Sequence, residues 1–453
     1  MPNSDPNALF PLPLTTFEQY MFADVRRGYP MTFVLEAHVT GKICREALET
    51  AVEVARGRHP MLHARIDARR FRRPMWTEAG ELRPAIDWTP FDSPAPRGRE
   101  PIDLRKSLGL RVWVRHDERR AAIALEFHHC CLDGLGSVQF LGDLLASYEQ
   151  QMNPSTKIEF SSLDPLRLRG RGVFAVRLPA PVSRWEVVRS SVLEAVKWFR
   201  HRPVSVAAPE KFTARENAFP EYCHYQFSEE ESRRIRETAM RHSVTVNDLL
   251  LRDMFLTVKA WNTRYRPHAK AEWLRINMPT SLRGHNETSM PAANRMSFAF
   301  LTRNERDCDH GDTFLAGIRW ETKMIQRWSL GHLFLNALQF GQCVPGLLKL
   351  ILAGRSCLAS VILSNLGEVS RHFTTVLPTE TRKMISGNLT VEKVLGAPPL
   401  RPGTHVAMAL FACSNRLLLC LASDRKQFTP QRSEEFLSLF VRHVRQSIAA
   451  EPL

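Results

Sequence analysis

The stretch from Ala121 to Gly134 constrains this chain more than any other. Ala121, Ile123, Leu125, Phe127 and His129 alternate with Ala122, Ala124, Glu126 and His128. Period-two alternation puts the first set on one face of a strand and the second on the other. The strand ends at Asp133-Gly134, a turn signal. Ser137 then reads as the N-cap of a helix whose apolar stripe is Leu141, Leu144, Leu145 and Tyr148.

The turn carries a dense run of reactive side chains, His128-His129-Cys130-Cys131-Leu132-Asp133-Gly134. Zinc would need ligands that converge tetrahedrally, and adjacent strand residues point to opposite faces. No second Cys/His cluster with ligand spacing supports a metal, so none is expected. Cys130 or Cys131 beside a histidine has the residue types of thiol chemistry, but a sequence neighbour on a strand faces away. The third reading is a general base. His129 ends an apolar face, and partial desolvation favours a neutral imidazole that can accept a proton. Asp133 can fold back to order the turn, and Gly134 permits positive φ or a close approach to substrate. Spacing alone leaves an ordinary core histidine and a catalytic one equally open.

Elsewhere the pattern alternates helices and strands in similar proportion. Strands are predicted over 31–39, 110–116, 222–227, 273–278, 358–363, 389–396, 404–412 and 415–421. Helices are predicted from Ala47 to Gly57, over 228–242, from Thr245 or Asn247 onward, over 310–330, 332–353 and 430–449. Ser228 with Glu231 spells a capping box. Residues 152–220 differ: they are rich in Pro and Arg, as an inter-domain crossover would be. The expected division is an N-terminal lobe over 1–152, a crossover linker over 153–220 and a C-terminal lobe over 221–453. A helix over 185–202 has Trp185, Val188, Val192, Val196 and Phe199 on one face and Arg189, Lys197 and Arg200 among its polar positions. That is the pattern of an interfacial helix, and equally of a helix packed on its own core.

Composition narrows the class. At 453 residues, two domains are the prior. A net charge of +15 draws anions, whether lipid headgroups, phosphorylated cofactors or an acidic protein. No nucleic-acid-binding motif surrounds the cluster Arg69, Arg70, Arg72 and Arg73, so nucleic acid is not an expected partner. Nine cysteines without regular spacing suggest free thiols in a reducing compartment, hence a cytoplasmic protein. Neither a secretory signal nor an uninterrupted membrane-spanning run is evident.

The His-His-x-x-x-Asp-Gly segment, placed between a strand and a helix, resembles the signature of the CoA-dependent acyltransferase superfamily. Other segments in family order strengthen the likeness: Leu14 to Gln19, Ala51 to Arg65, Thr245 to Leu250, Ile276 to Arg283, Ala293 to Ser297 and Ser364 to Gly367. The resemblance implies an α/β fold of two chloramphenicol-acetyltransferase-like lobes, each a mixed sheet flanked by helices, with an active-site tunnel between them. It implies His129 as general base, His128 as its non-catalytic neighbour, and Asp133 with Gly134 as structural support. It also implies an Asp133–Arg283 pair across the lobe boundary, and Ser364 and Asn365 as polar groups near the oxyanion. The implied reaction moves an acyl group from acyl-CoA or a phosphopantetheinyl carrier protein to an alcohol or amine, with no bound cofactor. A stand-alone enzyme, an acidic carrier partner and peripheral membrane contact through 185–202 complete the expectation. The competing reading is a lipid-binding or membrane-associated protein that keeps the fold and has lost turnover.

Overall fold

A computed structural model describes residues 8–26, 28–69, 72–94, 100–174, 189, 196, 198–209, 222–284, 289–327, 331–343, 346–347, 352, 354 and 356–449. In chain order the first strands are β1 (Leu12–Pro13), β2 (Thr32–Thr40), β3 (Ala64–Asp67), β4 (Met75–Glu78), β5 (Ala85–Pro90), β6 (Leu110–His116) and β7 (Arg120–His128). The second half adds β8 (Tyr222–Gln226), β9 (Trp273–Ser281), β10 (Met296–Asn304), β11 (Val361–Glu368) and β12 (Thr379–Glu380). It continues with β13 (Lys383–Ser386), β14 (Leu389–Ala397), β15 (Val406–Cys413) and β16 (Arg416–Ser423). The helices used below are α1 (Thr16–Ala23), α2 (Arg45–Arg58), α3 (Gly134–Met152), α4 (Glu229–Arg241), α5 (Val246–Tyr265), α6 (Gly311–Arg327), α7 (Gly331–Cys343) and α8 (Pro430–Ala449).

Two large mixed sheets organise the molecule. One has seven strands in the order β12-β13-β14-β2-β7-β6-β5, and the other six in the order β10-β9-β11-β15-β16-β8. Strand β7 lies inside the first sheet, antiparallel to both β2 and β6. Its alternation is real: Ile123, Leu125 and Phe127 enter the large core cluster, together with Leu141, Leu144 and Leu145 of α3. A second cluster, built on Leu249, Leu250, Phe255, Trp261 and Phe436, sits between the second sheet and α5 and α8.

Chain order does not respect a lobe boundary at 221. Strand β14 pairs with β2 from Thr390↔Thr40 to Ala397↔Val34, so β12, β13 and β14 complete the N-terminal sheet. Apolar β14 residues such as Val391, Val394 and Leu395 cover the flank of β2, which would otherwise be an exposed edge. Nor is the start of the crossover a loose linker. Arg171 is buried and donates to Glu18 from Nε (2.7 Å) and Nη2 (2.8 Å), and Nη2 also meets the Pro13 carbonyl at 2.6 Å. Most of the helix expected over 185–202 lies outside the described residues, including Trp185, Val188, Val192 and Lys197. Arg189, Val196 and 198–200 are helical, with Val196 and Phe199 exposed. Trp198 instead turns inward, under the Arg275 guanidinium and edge-on to Phe300.

The capping box predicted at Ser228/Glu231 forms, and of the two candidate caps for the next helix it is Thr245, not Asn247, that caps it, in a box with Asp248. Two local expectations change. Helix α3 begins at Gly134 with Asp133, not Ser137, as N-cap, and Ser137 Oγ donates to the Gly134 carbonyl. Strand β7 ends at His128, so His129 is the first residue of the turn rather than the last of the strand. Among the described residues no helix is long and apolar enough to cross a membrane.

Candidate active site

The turn after β7 is held from several directions. The His129 N–H donates to the Met31 carbonyl at 2.7 Å, and the His129 carbonyl accepts from Asn294 Nδ2 at 2.6 Å. The imidazole packs against Phe33, with ring centroids 4.9 Å apart and planes tilted by 55°. Only 8% of His129 is exposed, and its buried Nδ1 has no partner of hydrogen-bond geometry. Burial pushes its pKa below the ordinary imidazole value, while the backbone of His129 and Leu132 and the Asp133 carboxylate pull the other way.

His128 differs. It is buried, and its Nδ1 accepts the Cys130 N–H at 3.1 Å, which leaves the proton on Nε2. Burial, with His129 alongside, pushes its pKa down to about 3. Its imidazole is therefore neutral and locked.

Asp133 accepts four hydrogen bonds. Oδ1 takes the Gly136 N–H (2.8 Å) and Arg283 Nη2 (2.8 Å); Oδ2 takes Arg283 Nη1 (2.7 Å) and the Arg295 N–H (2.8 Å). Burial raises the carboxyl, but the bidentate Arg283 guanidinium and the two main-chain donors outweigh it and hold the pKa below the usual range. None of these bonds reaches His129, so Asp133 acts on the fold around the imidazole rather than on its tautomer. Arg283 also donates to the Ala293 carbonyl at 3.1 Å.

Gly134 does not need positive φ. A Cβ there would come within 2.8 Å of Leu366 Cδ2, so the constraint is close packing against β11. The β11 residues Ser364 and Asn365 part company. Ser364 pairs with Ala409, which belongs to the core of the N-terminal sheet, so it faces that lobe. Asn365 pairs with Leu410 of the other core, is exposed, and is committed elsewhere. Its Oδ1 accepts the Gly367 N–H at 2.9 Å and its Nδ2 donates to Asn247 Oδ1 at 3.3 Å. The two side chains therefore lie on opposite faces of β11.

The two cysteines carry no thiolate. Both are buried, both have pKa values pushed up by burial with the Glu18 carboxylate adding to it, and Cys130 Sγ donates to the Glu18 carbonyl at 3.3 Å. Burial, not strand alternation, removes them, since both lie in the turn. Among the described residues no group of three or more His, Cys, Asp or Glu side chains is placed to hold a metal ion. Two surface hollows, one lined by Arg45, Trp88 and Trp113 and the other by Arg65, Glu78 and Arg105, share no residue with this site.

Two contributors carry no role in the sequence reading. The first is the 290–295 segment, through Asn294 and the Arg295 N–H. The second is a further buried histidine, His59, whose Nε2 meets Asp143 Oδ2 at 3.1 Å and whose Nδ1 accepts the Ala292 N–H at 2.9 Å. Asp143 was findable: it is a carboxylate inside the apolar run Phe140-Leu141-Gly142-Asp143-Leu144-Leu145.

A two-lobed α/β fold with a histidine turn at the lobe junction defines a class, and comparison with known proteins agrees. The family model for the wax ester synthase/diacylglycerol acyltransferase catalytic domain matches residues 116–250, a span that contains His129 and Asp133. An uncharacterized protein of Mycobacterium tuberculosis, found in two strains, is 24% identical over 360 residues, covering 74% of this chain and 78% of that protein. The first condensation domain of the CDA synthetase superposes with a TM-score of 0.70 at 13% identity, covering 97% of this chain and 96% of that one. TRI3 trichothecene 15-O-acetyltransferase from Fusarium sporotrichioides gives 0.69 at 12% identity, with coverage of 96% and 94%. The starter condensation domain of rhizomide synthetase, solved as a mutant in complex with C8-CoA, gives 0.65 at 11% identity, with coverage of 97% and 95%. Family match and fold are consistent with the CoA-dependent acyltransferase and condensation-domain superfamily.

Proposed function

We propose that this chain is an acyltransferase that moves an acyl group from a thioester donor to an alcohol or amine, with His129 as general base. The observation that carries the reading is the His129 imidazole: desolvated, kept neutral, and fixed through its main chain while its own Nδ1 is left unspent. With the proton on Nδ1, the lone pair lies on Nε2. There it can take the acceptor's proton as the acceptor oxygen or nitrogen attacks the thioester carbonyl. The new C–O or C–N bond forms, the C–S bond breaks, and the thiol leaves with a proton.

The other roles follow from position. His128 fills the β7 end, and Asp133, Gly134 and Arg283 hold the turn. Ser364, on the N-lobe side of β11, is the candidate polar group for the oxyanion. Acyl-CoA and an acylated carrier protein are both anionic and both suit a chain of net charge +15. An approach to His129 between the lobes is part of the proposal, since the side chain is 8% exposed. Peripheral membrane contact through 185–202 and a cytoplasmic setting belong to the proposal as well.

Thiol release from acyl-CoA in the presence of a panel of alcohols and amines tests it. His129→Ala should lose about 10²–10⁴-fold in rate, the usual worth of a general base. Equal rates for the two proteins with a turned-over donor would overturn the assignment. Absence of turnover together with co-purified lipid would favour the binding-protein reading.

A further inference from the structure

The segment Met290–Arg295 belongs to the second half of the chain, yet it is bonded to the first half along its length. The Met290 carbonyl accepts from Gln139 Nε2 at 3.1 Å. The Ala292 N–H donates to His59 Nδ1, Asn294 Nδ2 to the His129 carbonyl, and the Arg295 N–H to Asp133. The Ala293 carbonyl lies 3.2 Å from where a Cβ on Gly136 would stand, so the segment rests directly on the first turn of α3. It is a short bracket with His59 at one end and the His129–Asp133 turn at the other.

His59 is built to hold that end. It is fully buried, and Nδ1 must be the acceptor because its partner is a main-chain N–H. Nε2 therefore carries the proton and donates to Asp143. Asp143 is fixed in turn by Arg58 Nε (2.7 Å), Thr374 Oγ1 (3.0 Å) and Thr375 Oγ1 (3.1 Å). The tautomer of His59 is thus set by its surroundings, and its only free lone pair is aimed at the bracket.

We propose that His59 is a positioning residue for His129: through the Ala292 N–H it fixes the 292–295 segment, and Asn294 passes that placement to the His129 main chain. This rests on His129 being the general base. It makes the acceptor atom of His59, rather than its packing, the quantity that activity depends on.

Two substitutions separate the ring's two jobs. In His59→Asn the side-chain oxygen replaces Nδ1 as acceptor and the reach to Asp143 is lost. In His59→Gln the amide nitrogen replaces Nε2 as donor and the acceptor is lost. Small misplacements at a reacting centre are costly, so kcat should fall more than about tenfold in His59→Gln and less than about threefold in His59→Asn. Hydrogen–deuterium exchange over 290–295 should quicken in His59→Gln alone. A kcat that follows melting temperature alike in both variants would mean a merely structural histidine and overturn the proposal. If neither variant folds, Asn294→Ala decides: it leaves His59–Asp143 intact and should lower kcat with KM unchanged, and an unchanged kcat sinks the idea. Loss of activity in His129→Ala with equal behaviour of the two His59 variants defeats this inference and spares the proposed reaction. No effect of His129→Ala defeats the reaction itself.

Discussion

His59 and His129 are both buried, and each has an aspartate close by in the fold. At His59 both ring nitrogens are spent, one on Asp143 and one on a main-chain N–H. At His129 the aspartate is turned away, toward Arg283 and two backbone donors, and Nδ1 has no partner. A satisfied buried imidazole holds structure together, because breaking it leaves polar groups unpaired. An unsatisfied one costs stability to keep, and in this chain it is the one inside the family-matched span.

Perturbing each half of the comparison should therefore read out differently. The largest stability loss is expected for Asp143→Ala, which leaves the buried His59 N–H without an acceptor and takes the carboxylate from the half-buried Arg58. Breaking such a buried pair costs about 3–5 kcal/mol, to be read from urea unfolding. A loss below about 1 kcal/mol would remove the distinction between the two histidines.

Arg283→Ala should cost less, about 2–3 kcal/mol, since the Asp133 carboxylate keeps its two main-chain donors and loses only the bidentate partner. Activity should fall through misalignment, with a smaller drop in kcat than in His129→Ala. The reverse order would place Arg283 in the chemistry.

Gly134→Ala tests the packing account of the turn. The new methyl meets Leu366, and overpacking costs about 1–3 kcal/mol. Adding Leu366→Val should recover part of that loss, whereas additive losses would point to backbone strain instead.

The smallest effects concern pH. Because burial lowers the His129 pKa, the acid limb of kcat/KM should lie below the ordinary imidazole value of about 6.5. An acid limb above that value would show that the Asp133 charge outweighs burial. His128, with a folded pKa near 3, is neutral when folded and takes a proton more readily when unfolded. Its contribution is fully present above about pH 6.5 and is lost progressively as pH falls from there toward 3. Replacing His128 with Asn should flatten that part of the stability profile.

Much of this was legible in the chain itself. Alternation along Ala121–Phe127 marks a strand, which the fold buries on both faces, and Leu141, Leu144 and Leu145 mark the helix that covers one of them. The box at Ser228 starts α4 where its spacing says, and Thr245, one of two candidate caps, starts α5. These are local effects, set by side-chain direction and capping within a few residues. The His129–Asp133–Gly134 turn was visible for the same reason, with Arg283 reached only through resemblance.

Other features were decided by the tertiary structure. No local pattern says that β14 will pair with β2, because a strand's partner depends on which flank is left uncovered. On the sequence Gly134 permits positive φ or a close approach to substrate; in the fold it is a matter of room beside Leu366. The same holds for the two histidines. On the sequence His129 ends an apolar alternation, whereas His59 stands between Arg58 and Pro60. The Ala292 N–H lies 233 positions from the ring it binds, and Asn294 lies 165 from the carbonyl it holds. Hydrogen bonds over such separations exist only once both sheets have closed on each other. The sequence by itself thus determined which side chains were available, and the closed fold decided which imidazole was spent and which was left free.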